Sequence, residues 1–452
     1  MTVRRSAAIV LAAGHGTRMR SALPKVLHPL AGRPMIQCLL ETLEGAGIKD
    51  ITVVVGPGYE AVAKAVAAYP TAVQTERLGT AHAALAARDS ISNEIDDLLI
   101  LNGDNPLIPG EYIEALLRKR SSAADPAVVV LGFRATEPVA YGRMVTNPDG
   151  TLARIVEAKD ASPEELAIDL CSSGMMALDG KSAFDLLSEI GNDNAAGEYY
   201  LPDVVGVALS KGRTASVIEG EEAPLLGINS RAELAAAEAR VQAKLRQKAL
   251  DGGATLTAPE TVFFSHDTII GKDVLIEPNV VFGPGVSIAD DATIRAFSHL
   301  EGASVASGAV IGPYARLRPG AKLGPGTKVG NFVEVKNADV SEGAKINHLS
   351  YVGDADVGAN ANIGAGTITC NYDGVFKWRT TIGAGAFIGS NTALVAPVTI
   401  GDGASVGAGS TITKDVTGDA LAVTRADQKE VKDWARKTRE RKKALKAKGE
   451  KG

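Results

Sequence analysis

The stretch Leu11-Ala12-Ala13-Gly14-His15-Gly16-Thr17-Arg18-Met19, followed by Leu23-Pro24-Lys25, is where residue types first suggest chemistry. Two glycines let a chain turn tightly and approach a ligand without a Cβ, so successive backbone N–H groups can converge on phosphate oxygens. Arg18 and Lys25 add two cations beside those amides. The spacing is neither the dinucleotide fingerprint nor a Walker loop. A glycine-rich turn after a strand is often only a turn, and the two trailing cations are what favour phosphate binding here. Farther on, Asp104 in Leu101-Asn102-Gly103-Asp104 follows an apolar run and can offer a carboxylate, or equally serve as a turn or cap residue. In the second half, His348 sits in Asn347-His348-Leu349-Ser350-Tyr351. Alone it reads as a surface histidine, although an imidazole near neutrality is suited to taking a proton.

The first of these groups must be positioned by alternating elements. Residues 7–11, 51–55, 72–74, 98–102 and 127–132 read as strands, and 35–45, 59–68, 81–88 and 111–120 as helices. That order predicts an α/β, Rossmann-like fold with a mostly parallel sheet and helices on both faces, and such sheets bind ligands beyond the carboxyl ends of their strands. The apolar run 7–13 after Arg4-Arg5 imitates a short signal peptide, but Gly14-His15-Gly16 cuts it short and it reads as a buried first strand. Residues 230–250 carry Leu234, Val241 and Leu245 at helical spacing, stopped by Gly252-Gly253, and read as a semi-rigid arm.

The second half counts in sixes. Ile270, Ile276, Phe282, Ile288, Ile294 and Leu300 are followed after a slip of one by Val305, Ile311, Leu317, Leu323, Val329 and Val335. Val340, Ile346 and Val352 come next, then Val357 and Ile363, and finally the run from Ile382 to Ile412. Neither the helical nor the simple strand period gives six, whereas a β-solenoid with one inward side chain per side does. Three sides close one coil, and residues 262–414 give about eight coils. Residues 364–381 break the count with Gly364-Ala365-Gly366-Thr367 and Cys370-Asn371-Tyr372-Asp373-Gly374, ending in Lys377 and Arg379, and are expected to form a loop.

Composition narrows the class. At roughly 150 residues per domain, 452 residues imply two or three domains. Glycine makes up 21 of residues 1–228 and 24 of the shorter span 255–424, so the halves are built differently. The expected division is 1–228, a helical linker 229–254, a β-helix domain 255–424 and a basic tail 425–452. The net charge of −5 conceals a tail from Arg425 with 12 Lys/Arg against 5 Asp/Glu. A nucleic-acid binder would concentrate positive charge on a folded face, so nucleic acid is excluded as the general partner. The tail reads as a solvated helix. Cys38, Cys171 and Cys370 are too few and too scattered for a disulfide framework or a thiolate metal site. No run reaches the length of a membrane helix, and the expectation is a cytoplasmic protein that uses no membrane.

Gly-x-Gly-Thr-Arg followed by Pro-Lys resembles the signature of sugar-phosphate nucleotidyltransferases, and from about residue 6 to 430 the chain resembles the bacterial family that acetylates glucosamine 1-phosphate and uridylylates the product. The resemblance implies a left-handed parallel β-helix, a homotrimer, and the small-molecule substrates UTP, glucosamine 1-phosphate, N-acetylglucosamine 1-phosphate and acetyl-CoA. It implies that Asp104 and Asn229 hold Mg²⁺ and that Arg18 and Lys25 neutralise the triphosphate. UTP or the nucleotide sugar would be met by Leu11, Ala12, Ala13, Gly14, Lys25, Gln74, Gly79, Thr80, Gly142, Glu157, Ser172 and Asn229. For acetyl transfer, His348 would be the base, with Asn371 orienting or polarising it. Arg318, Lys336, Tyr351 and Asn362 would bind the sugar phosphate, helped by Lys377. Acetyl-CoA would lie along Ala365, Asn371, Tyr372, Ser390, Ala408 and Arg425. Four positions depart from the family's usual residues: Asn102 for Tyr, Ser172 for Asn, Pro202 for Thr and Ala81 for Gly. The His15 spacer carries no weight. The alternatives are a nucleotidyltransferase whose β-helix serves only trimerisation, and a non-catalytic scaffold.

Overall fold

The computed structural model describes residues 4–14, 16–137 and 141–449, so His15 lies outside the described residues. Contacts group the chain into two compact units, 1–245 and 246–452. The first is built on strands β1 (Ser6–Ala12), β2 (Asp50–Val55), β3 (Thr71–Val73), β4 (Asp97–Asn102), β5 (Val128–Arg134), β6 (Arg143–Thr146), β7 (Leu152–Val156), β8 (Leu170–Asp179) and β9 (Ala215–Gly220). The main sheet runs β9-β5-β8-β4-β1-β2-β3. Strand β1 pairs in parallel with both β2 and β4, so the chain order reverses on either side of it, and a crevice opens beyond its carboxyl end. The sheet is less parallel than expected: β8 is antiparallel to both β4 and β5, and β6 and β7 form an antiparallel hairpin. That hairpin and β8 follow a region whose sequence lacks crossover helices of the length parallel pairing needs.

Alternation along β1 explains the layers. Ala7 and Ile9 enter one apolar core, while Ala8, Val10 and Ala12 enter the other, and all are buried. Helices α1 (Met35–Gly45), α2 (Glu60–Ala65), α3 (Thr80–Leu85) and α4 (Gly110–Arg120) fall where the apolar spacing predicts, with α2 and α3 shorter at their ends. Helix α5 (Arg231–Asp251), read from the sequence as a semi-rigid arm, is packed along its first part. Arg231 bonds the Met19 carbonyl, Glu238 accepts from the Ala31 amide, and Arg240 bonds the Ala223 carbonyl.

The second unit is a parallel β-helix. Of the residues counted in sixes, all but Ile270 are buried. Strands pair 18 residues apart in the first coils, as in Ile270 with Ile288, and 17 apart where the count slips, as in Ile288 with Val305. One side is a ten-stranded ladder from Thr255–Leu256 to Leu421–Ala422, so the rod extends past the counted repeats at both ends. The break in the count is narrower than the sequence suggests. Thr369 keeps the inward position six after Ile363, is buried, and pairs with Leu394 25 residues on. The extra residues therefore emerge after Cys370, where Asp373 accepts from the amides of Val375 and Phe376 and the Trp378 indole. A threonine filling an apolar slot hid this from an apolar count. The three cysteines are free, and among the described residues no helix is long and apolar enough to cross a membrane.

Candidate functional sites

Beyond the carboxyl ends of β1 and β4 lies a cavity of about 450 Å³, lined by Leu11, Ala12, Ala13, Gly14 and Lys25 on one wall and Gln74, Arg77, Gly79 and Thr80 on another. A second cavity of about 190 Å³ is lined by Tyr141, Gly142, Glu157, Ser172, Pro202, Gly227 and Asn229 among others. Asn102 and Asp104 line both. The sheet thus delivers one carboxylate to the junction of two compartments.

Lys25 is held at that junction. Its ammonium pairs with the Asp104 carboxylate and donates to Asn229 Oδ1 at 2.9 Å. Two oxygen donors converge on a positive charge, which is the donor set a hard divalent ion takes from a protein when phosphates and water complete its shell. Among the described residues no cluster of three or more His, Cys, Asp or Glu offers a fuller cage. The wall opposite is shaped by close backbone approach: a Cβ on Gly79, where φ is +115°, would lie 2.5 Å from the Tyr199 carbonyl. Gln74 is buried and donates to the Gly79 carbonyl at 3.0 Å, so its carboxamide oxygen is left as an acceptor. In the smaller cavity, Gly142 accepts from the Ser172 amide at 2.8 Å and stands against Glu157. Burial raises the Glu157 pKa, and Asp203 and Asp160 add to the rise.

The structure places most of the expected residues on these walls, with one exception. Arg18 sits exposed on the turn Thr17–Met19 and does not line either cavity. The cation that lines the larger cavity beside Lys25 is Arg77, whose Nε bonds the Ala13 carbonyl at 3.0 Å and whose guanidinium lies 5.5 Å from the Tyr59 ring centre. It stood inside the Gln74–Thr80 stretch, and a positive side chain among ligand-contacting neighbours was the available signal. Three of the four departures, Asn102, Ser172 and Pro202, line the smaller cavity, whereas Ala81 is buried next to Thr80 of the larger cavity's wall and donates its amide to the Tyr199 carbonyl.

On the β-helix, the second constellation follows one edge. Asn331 and His348 are paired rungs, and His348 Nδ1 lies 2.7 Å from Asn331 Oδ1. The edge continues through the Gly366 amide on the His348 carbonyl, the Asn391 amide on Ala365, the Gly409 amide on Ser390, and Arg425 on the Ala408 carbonyl at 2.7 Å. His348, Ala365, Ser390, Ala408 and Arg425 therefore stack one per coil, spanning roughly 19 Å at the usual spacing of strands. The adjoining side carries Arg318, which bonds Glu334 at 2.8 Å, together with Lys336 and Tyr351. The Tyr351 ring folds over Gly353, where a Cβ would strike its hydroxyl. Asn362 pairs with Lys345 in the sheet that carries His348. Tyr372 is exposed on the loop, its hydroxyl bound to Gly374, and Lys377 is exposed beside it.

Asn371 differs from expectation: it donates to Asp354 and, at 3.4 Å, to the Tyr351 hydroxyl, and the side chain on the His348 ring is Asn331. The repeat itself was the missed signal, because 331 lies one 17-residue coil before 348.

Residues 8–162 match the MobA-like NTP transferase domain family, and 267–302 and 379–414 match the bacterial transferase hexapeptide family. The chain is 60% identical to the bifunctional protein GlmU of Rhodospirillum rubrum, over 96% of this chain and 97% of that protein. It is 56% identical to the bifunctional protein GlmU of Paramagnetospirillum magneticum, over 99% and 100%, and 60% identical to that of Rhizorhabdus wittichii, over 99% of each.

Proposed function

The chain belongs to the bifunctional GlmU family, and on that premise we propose that it makes UDP-N-acetylglucosamine in two steps at the two sites described. The β-helix unit transfers acetyl from acetyl-CoA to glucosamine 1-phosphate. The sheet unit joins the resulting N-acetylglucosamine 1-phosphate to UTP, releasing pyrophosphate. The assembly proposed is a homotrimer built through the β-helix, working in the cytoplasm.

In the sheet unit, the sugar phosphate oxygen attacks the α-phosphorus of UTP as the bond to pyrophosphate breaks. Both reactants are anions, so the site must supply positive charge and hold them in line. UTP fits the larger cavity, with Gln74 and the Gly79 backbone facing the base and Lys25 and Arg77 facing phosphate. The acetylated sugar fits the smaller one, against Gly142, Glu157 and Ser172. Asp104 and Asn229 would hold Mg²⁺, which supplies charge neutralisation at the triphosphate. The observation that carries this reading is the single carboxylate, Asp104, at the meeting point of two cavities.

In the β-helix unit, the amine of glucosamine 1-phosphate attacks the thioester carbonyl, a C–N bond forms, the C–S bond breaks and coenzyme A leaves as its thiol. His348 takes the proton from nitrogen. With Asn331 Oδ1 as acceptor, Nδ1 carries the hydrogen and Nε2 holds the lone pair that serves as base. Arg318 and Lys336 meet the sugar phosphate, and the stacked edge from Ala365 to Arg425 suits an elongated donor.

The test supplies purified protein with Mg²⁺, UTP and either N-acetylglucosamine 1-phosphate or glucosamine 1-phosphate, and follows pyrophosphate. Release with the acetylated sugar alone is expected. Equal release with the free amine would contradict the assignment of the smaller cavity.

A further inference from the structure

Asn337, Asp354 and Asn371 stand one above another, 17 residues apart, at one corner of three successive coils. Above them the same corner is turned by Gly302 and Gly320, at φ +53° and +85°. Asn337 and Asp354 hold left-handed φ values of 44° and 48°, a conformation glycine adopts most cheaply and Asn or Asp next. Polar side chains thus occupy positions that glycine serves elsewhere in the column.

Their hydrogen bonds form a hub. Asp354 is 7% exposed and accepts from Asn337 Nδ2 at 2.6 Å through Oδ1 and from Asn371 Nδ2 through Oδ2. Lys336 Nζ lies 3.8 Å from the same Oδ2. Asn371 Nδ2 also reaches the Tyr351 hydroxyl at 3.4 Å. Burial works to raise the Asp354 pKa, but hydrogen bonds from Asn337 and Asn371 and the charges of Lys336 and Lys377 outweigh it, so the net shift is downward and the group is a carboxylate at neutral pH. An ionised carboxylate only accepts, so both amide NH₂ groups must face it and the orientation of each carboxamide is fixed. Asn371 is therefore left with its oxygen as an acceptor.

A carboxylate beside the cations of a phosphate site would by itself weaken anion binding. Resting on the acetyltransferase reading above, we propose that Asp354 is the positioning residue of that site: it sets the orientation of Asn371, and through it Tyr351, and anchors Lys336 for the sugar phosphate.

Asp354→Asn keeps shape and tolerates the left-handed backbone, and Asp354→Gly tolerates it without a side chain. In the full chain, each variant should lower kcat/KM for glucosamine 1-phosphate about 10- to 100-fold, the range for one partner left unpaired in a buried polar network. Uridylyl transfer should stay near wild type, and any fall in melting temperature should be of a few degrees only, leaving the chain folded at the assay temperature. The double variant Asp354→Asn/Asn371→Ala should be no slower than the slower single one, because both act through one unit. Losses that multiply, or variants that melt earlier with rate constants intact at low temperature, would overturn the positioning role. Variants as active as an active wild type would overturn it too, leaving the acetyltransferase reading standing. A wild type releasing no thiol from acetyl-CoA with glucosamine 1-phosphate would overturn both.

Discussion

The two sites are made in opposite ways. In the sheet unit, topology makes the site: reversal of strand order at β1 opens a crevice, and loops from both sides wall it into two cavities that share Asp104. In the β-helix unit, topology makes a uniform rod, and chemistry arises where the repeat is decorated. One edge carries His348 and a column of residues one coil apart, and one corner replaces glycine with Asn337 and Asp354. A Lys25 held between Asp104 and Asn229 and a Lys336 held by Asp354 show the common element. Each site keeps a lysine in place with an acid, yet only in the first are both oxygen donors suited to pass to a metal ion.

The sharpest way to break this comparison is to remove the groups that belong to one site only. His348→Ala should cut acetyl transfer about 10²- to 10⁴-fold, the usual contribution of a general base, with uridylyl transfer within about twofold of wild type. Equal loss of both would show that the sites are not separate. Conversely, Asp104→Asn should cut uridylyl transfer about 10²- to 10³-fold, as loss of a preorganised charge does, and spare thiol release from acetyl-CoA. Arg77→Ala, read by initial rates at varied UTP, should raise KM for UTP about tenfold, within the range for a charged hydrogen bond; an unchanged KM alongside a raised one in Arg18→Ala would restore Arg18 to the cavity.

The smallest effect concerns Glu157. Burial raises its pKa, so folding favours the protonated form. Stability from that preference is full below the unfolded value of about 4.3 and is lost as pH rises through the raised folded value. Glu157→Gln should therefore raise the melting temperature at pH 7 by about 1–2 °C while weakening sugar use. A melting temperature that falls at pH 7 would contradict the sign.

Legibility in the sequence follows the same division. The rod could be read almost completely, because each inward residue from Ile276 to Ile412 repeats a simple rule, and the misplacement at 364–381 came from Thr369 obeying the rule with a polar side chain. In the sheet unit β1 to β5 and the helix Met35–Gly45 were legible from apolar runs, but β6, β7, β9 and the antiparallel β8 were not. Strand direction depends on how the chain returns, and no local pattern records that. For the sites, Lys25, Asp104 and Gly79 were legible from turn chemistry and resemblance, and the structure sets them on the walls of one cavity. Partnerships were harder: Asn331 with His348, and Asp354 with Asn371, join residues 17 apart, visible only once the coil length is known.

The most direct test of two independent sites on one chain mixes two defective proteins. His348→Ala and Asp104→Asn are each incubated with glucosamine 1-phosphate, acetyl-CoA, UTP and Mg²⁺, alone and together, and UDP-N-acetylglucosamine is measured. Neither variant alone should form it, and the mixture should form it readily, since one supplies the acetylated sugar phosphate that the other consumes. A mixture as silent as its parts would contradict the division of labour drawn between the sheet and the β-helix.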